Sequence, residues 1–66
     1  MNYSAKKLIS ILMLNGFVFK RAKGSHQLYF NKSSNKTVIV PMHGKDMPKG
    51  TFLAILKQAG IDKSEV

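Results

Sequence analysis

Few side chains in this chain can move a proton near neutral pH. There are two histidines, His26 and His43, no cysteine, and three carboxylates, Asp46, Asp62 and Glu65. Without cysteine, a thiolate nucleophile and a cysteine-ligated zinc are both excluded. The three acids form no carboxylate pair of the kind that glycosidases and two-metal nucleases need. The histidines stand seventeen residues apart and match no spaced metal-binding motif. No glycine-rich phosphate loop joins a strand to a helix. Catalysis, if any, falls to His26 or His43, supported by Lys, Arg, Ser, Tyr or backbone groups. No metal and no small-molecule cofactor is expected.

That small set suffices for one reaction. RNA carries its own nucleophile, the 2′-hydroxyl beside the scissile phosphate. A catalyst needs a group to accept that proton, a group to donate one to the leaving oxygen, and cations for the crowded phosphate. An imidazole, titrating near ~6.5 in water, can serve as either base or acid. Lys and Arg can hold the phosphate. The same equipment would bind DNA without cutting it.

Charge supports a polyanionic partner. Eleven Lys and Arg against three acids leave a net charge of +8 in 66 residues. Before Asp46 the chain has no carboxylate side chain, while Lys6, Lys7, Lys20, Arg21, Lys23, Lys32, Lys36 and Lys45 all lie in that stretch. A small surface of one sign attracts a polyanion and releases its counterions on binding. Solubility alone, or an anionic membrane surface, would also explain the excess. No basic amphipathic helix long enough for membrane docking is evident, and no membrane is expected as a partner.

The elements that would position these groups can be read from local signals. Ser4 suits an N-cap for a helix running to about Asn15, with Leu8, Ile9, Leu12 and Met13 as its apolar stripe. Asn15-Gly16 supplies the stop. The segments 17–22, 26–30 and 36–40 read as strands, separated by Gly24-Ser25 and by the polar run Asn31 to Asn35, with Pro41 closing the third. After a loop from Met42 to Met47, Pro48 suits a first helical position. Phe52, Ile55, Leu56 and Ala59 then recur at helical spacing until Gly60-Ile61. The fold class expected is α+β, in the order α-β-β-β-α, with two helices on one face of a three-stranded antiparallel sheet. At this length one domain over residues 1–66 is expected, burying only ~60% of the unfolded chain's surface. The amino-terminal apolar run, Leu8 to Leu14, is too short to span a membrane and precedes no cleavage site, so the expected location is the cytoplasm.

Strand alternation places His26 with Leu28 and Phe30, expected on the core face, and Gln27 with Tyr29 opposite. On that reading His26 is a hydrogen-bonded residue at the edge of the core. It opens its strand, however, and a bulge or turn at Gly24-Ser25 would break the parity. It also follows Lys20, Arg21 and Lys23, a potential local anion site. His43, in Pro41-Met42-His43-Gly44-Lys45, reads as a surface loop histidine. Tyr29 and the phenylalanines could stack on bases, although for the phenylalanines core packing is the simpler role.

Lys23-Gly24-Ser25-His26, Val38-Ile39-Val40-Pro41, His43-Gly44-Lys45 and Lys49-Gly50-Thr51, leading into the segment from Ile55 to Ile61, together resemble the HicA toxin family. Each motif is weak alone, but their order and spacing cover almost the whole chain. The resemblance implies a double-stranded-RNA-binding-domain-like fold, which agrees with the element order above. It implies a messenger-RNA endonuclease of a toxin–antitoxin pair, inhibited by a HicB-type antitoxin. It also implies that the catalytic histidine is His26, in the Gly-Ser-His motif. Gln27 stands where many members carry a second histidine or a basic residue, and Met42 where a basic residue is common. Lys20, Arg21, Lys23, Ser25 and Lys45 are the candidate RNA contacts, with Lys23 or Arg21 stabilising the phosphate. The second acid/base group stays open, with His43 a candidate. A non-catalytic RNA-binding module of the same fold, or a basic protein with only a protein partner, are the competing readings.

Overall fold

The computed structural model describes residues 3–42, 46–62 and 64. Five elements follow one another: helix α1 (Ala5–Leu14), strands β1 (Phe17–Lys23), β2 (His26–Asn31) and β3 (Lys36–Pro41), and helix α2 (Lys49–Ala59). The strands form one antiparallel sheet in the order β1-β2-β3. This is the α+β arrangement expected, with element limits shifted by a residue or so.

Each boundary has a local cause. The Ser4 side chain accepts a hydrogen bond from the Lys7 backbone N–H at 3.1 Å, capping α1. Helix α1 ends where Gly16 takes φ +91°, a conformation costly for any residue with a Cβ. The β1–β2 hairpin closes on two residues, and of these only Gly24 has positive φ (+58°), the pattern of a type II′ turn. At the next turn Asn31 Oδ1 accepts from the backbone N–H groups of Ser33 and Ser34, and Asn35 adopts φ +56°. Helix α2 starts after Pro48, its N-cap, and stops at Gly60 in the left-handed region. There the Ile61 N–H bonds the Leu56 carbonyl, and the Ile61 side chain is buried.

A single hydrophobic cluster joins both helices to one face of the sheet. Leu8, Ile11 and Leu12 of α1 and Phe52, Ile55 and Leu56 of α2 meet Phe17, Tyr29, Val38 and Val40 from the strands. Tyr3 packs edge-on against Phe52, ring centroids 5.2 Å apart. In α1 the buried stripe is Ala5, Leu8, Ile11 and Leu12, with Ile9 only partly buried. Met13, expected in that stripe, is instead 53% exposed. The helix is rotated so that Ile11 takes the inward place, because its four buried positions must face both the sheet and α2. On the opposite face of the sheet, Val18, Arg21, Lys23 and His26 are exposed and Leu28 and Phe30 half-buried.

Candidate functional site

The strand register decides which side chains share the open face. In β2, Tyr29 and Asn31 are buried and Gln27 is half-buried toward the helices, whereas His26 is exposed and Leu28 and Phe30 are half-buried on the other side. The expectation that His26, Leu28 and Phe30 face the core is therefore corrected. Leu28 and Phe30 are the more apolar side chains of the strand. Tyr29 can nevertheless bury its ring because its hydroxyl donates to Gln27 Oε1 at 2.8 Å. Burial raises the Tyr29 hydroxyl above its usual pKa. Asn31 is satisfied as well: its Nδ2 donates to the Asn15 carbonyl at 2.9 Å, tying β2 to the end of α1.

Strand β1 contains an irregularity that its sequence did not announce. Phe19 pairs with Tyr29, but the next pair is Arg21 with Leu28, so Lys20 is an extra residue in β1. Simple alternation from Phe19 would put Arg21 and Lys23 on the helix side. The extra residue reverses the parity. Arg21 then lies opposite Leu28 and Lys23 opposite His26, all on the open face. The irregularity anticipated at Gly24-Ser25 is a tight turn, and the bulge lies four residues earlier.

These residues surround a concavity of about 510 Å³ at the end of the β1–β2 hairpin, lined by Arg21, Lys23, Gly24, Ser25, His26, Gln27, Leu28 and Ile39. A shallower depression beside it is lined by Lys20, Arg21, Leu28 and Phe30. Of the residues singled out in the sequence, Arg21, Lys23, Ser25 and His26 thus share one cavity, with Lys20 in the adjoining one. His43 and Lys45 lie outside the described residues. The Met42 N–H donates to the Ser25 carbonyl, which anchors the chain leaving β3 beside the turn that carries His26. Among the aromatic residues, Phe17, Tyr29 and Phe52 are core side chains. Phe19 is 47% exposed but packs edge-on against Tyr29, on the helix side. Phe30 is the aromatic ring that borders the basic residues on the open face. Leu28, which strand alternation already places on the face of His26, and Ile39, which the sequence did not connect with it, form the apolar floor of its cavity; the pairing of Ile39 with Leu28 across β2 and β3 is the signal for Ile39.

The cavity is open, cationic on one wall and apolar on its floor, with an exposed imidazole at its rim. It can hold an anion at Arg21 and Lys23 while His26 exchanges a proton with a neighbouring group. Among the described residues, no three His, Cys, Asp or Glu side chains come together as metal ligands, and no helix is long and apolar enough to cross a membrane.

The fold and this face define a small α+β domain that presents a histidine among cations on an uncovered sheet. The family described as the HicA toxin of bacterial toxin–antitoxin systems matches residues 5–61 of the 66. The chain belongs to the HicA toxin family. Comparison with individual curated proteins gives no match.

Proposed function

We propose that this toxin is a metal-independent endoribonuclease that cuts messenger RNA with His26, arrests translation, and is held inactive by a HicB-type antitoxin in the cytoplasm. The observation that carries the reading is the bulge at Lys20, which sets Arg21 and Lys23 on the face and in the cavity of His26. A phosphodiester bound by Arg21 and Lys23 would lie within reach of the imidazole. In this mechanism the 2′-oxygen loses its proton and attacks the adjacent phosphorus, the bond to the 5′-oxygen breaks, and that oxygen leaves with a proton. The products are a 2′,3′-cyclic phosphate and a free 5′-hydroxyl. His26 performs one of the two proton transfers, and Arg21 and Lys23 neutralise charge gathering on the phosphate. Ser25, at the hairpin tip in the same cavity, contacts the RNA backbone, and Lys45 adds a further cation. His43 is the candidate for the other proton transfer.

The test compares wild type with His26→Ala on labelled RNA in the presence of a chelator. Wild type should yield fragments ending in 2′,3′-cyclic phosphate, and folded His26→Ala should yield none and should no longer stop growth. Undiminished cleavage by folded His26→Ala would remove His26 from the mechanism. Tight, salt-sensitive binding by wild type with the RNA left intact would instead establish a non-catalytic RNA-binding module.

A further inference from the structure

His26 borders two hollows of different character. One is the cationic cavity described above. The other is a groove of about 550 Å³ on the β3 side, between that strand and α2. Its strand wall is Thr37, Ile39 and Pro41, the residues of β3 that lie opposite Phe30, Leu28 and His26 on the open face. Its helix wall is Thr51, Ala54, Ile55 and Gln58, four positions of one helical stripe. Among the described residues, no Lys, Arg, Asp or Glu side chain lines it. Its volume falls within the ~300–1,000 Å³ typical of small-ligand sites.

The division of charge is the informative feature. A nucleotide is an anionic phosphate joined to a neutral, flat base whose faces are apolar and whose edges carry donors and acceptors. Arg21 and Lys23 suit the first part and would repay nothing for the second. The groove offers the reverse: apolar surface from Ile39, Pro41 and Ala54, with hydroxyl and amide groups at Thr37, Thr51 and Gln58. A glutamine amide presents a donor and an acceptor side by side, the arrangement that pairs with a base edge. Because His26 lines both hollows, a nucleotide at the reacting phosphate can reach across it from one to the other.

We propose that the groove between β3 and α2 is a nucleobase subsite, in which Gln58 and Thr51 read the edge of an unpaired base adjoining the phosphate at His26. This rests on the reading of His26 as the centre of an RNA site. It adds that the substrate is single-stranded there, since a base inside a duplex exposes neither its face nor its pairing edge. It also makes Gln58 and Thr51 determinants of base preference.

Two measurements test it. In the first, wild type, Gln58→Ala, Thr51→Val and the control Lys57→Gln cleave a pool of single-stranded RNA randomised around the cut, and the products are sequenced. The readout is the ratio of rates between substrates differing in one base, which does not depend on overall rate. Wild type and Lys57→Gln should favour particular bases at one position beside the cut, by about tenfold. Gln58→Ala should flatten that preference, and Thr51→Val should alter it. In the second, His26→Ala protein is titrated with unpaired oligonucleotides of each base and followed by nuclear magnetic resonance. The Gln58 side-chain amide and the Ala54 methyl should shift, with base-dependent affinity. Identical base preferences in wild type and Gln58→Ala would overturn the subsite while leaving His26 as the catalyst. Shifts at Gln58 without cleavage by wild type would keep the subsite and overturn the catalytic reading. Loss of antitoxin inhibition in Gln58→Ala with base preference unchanged would assign the groove to the protein partner and overturn the proposal.

Discussion

Neutralising the cations of the open face as Lys20→Gln/Arg21→Gln/Lys23→Gln asks whether RNA is held where the bulge places them. All three side chains lie on exposed strand positions, so the fold should tolerate the change. Binding to a single strand weakens with salt with a log–log slope of ~0.7 per phosphate neutralised. If each cation engages one phosphate, the triple variant should show a slope smaller by about 2. Between 50 and 200 mM salt, wild type should then lose roughly 20-fold more affinity than the variant. The comparison requires a control with the same net charge. Lys6→Gln/Lys32→Gln/Lys57→Gln removes three lysines that line neither hollow around His26 nor the depression beside Lys20. Both triples are made in a His26→Ala background to prevent cleavage, and binding to a labelled single-stranded RNA is followed by fluorescence anisotropy at several salt concentrations. A slope change confined to the open-face triple is the expected result. Equal changes in the two triples would show that the whole basic surface shares the RNA, and the assignment to this face would be refuted.

Deleting Lys20 should remove the bulge while Arg21 stays opposite Leu28 and Lys23 opposite His26 on the open face, because the residue lost is the unpaired one. The domain should remain folded by circular dichroism and keep cleaving RNA, and a loss of ~100-fold or more would show that Lys20 itself, rather than the face that Arg21 and Lys23 occupy, carries the phosphate contact. Phe52→Ala empties a fully buried position in contact with Tyr3, at a cost of ~3–5 kcal/mol. In a domain of this size that should shift the urea midpoint sharply or abolish the transition. Burial raises the Tyr29 hydroxyl, so above pH ~10 the unfolded chain holds fewer protons than the folded one and stability falls as pH rises. Tyr29→Phe should lose stability less steeply than wild type between pH 9 and 11 in urea melts. Parallel curves would show that Tyr29 does not contribute.

The elements were legible because their boundaries rest on residues that act locally. Ser4 caps with its own side chain, Gly16 and Gly60 take positive φ, and Asn31 folds the second turn around its own carboxamide oxygen. None of these depends on what packs above. The inward stripe of α1 was less accessible, since Ile11 and Met13 are both acceptable apolar residues and only the position of α2 and the sheet selects Ile11. The inner face of β2 is obscured in the sequence for a related reason. A sheet with one uncovered face is expected to be polar there, yet this one exposes Ile39 and Val18 and half-buries Leu28 and Phe30. Apolar content therefore favours the wrong face of β2, and Tyr29 is the residue that packs inside.

The apolar residues of the open face and the bulge at Lys20 share one physical meaning. Apolar residues left on an open face next to an imidazole and three cations are costly as structure, because burying them would contribute ~25 cal/mol per Å². They are reasonable as a surface that becomes covered when a partner or substrate with flat, neutral bases arrives. The bulge has the same logic. No glycine marks Lys20, and a regular strand would have paired without the extra residue. Its effect is to move two cations across the sheet to the side of His26. Both departures from local rule are thus found on the same face, in and beside the hollows that His26 borders, where function rather than packing sets the requirement.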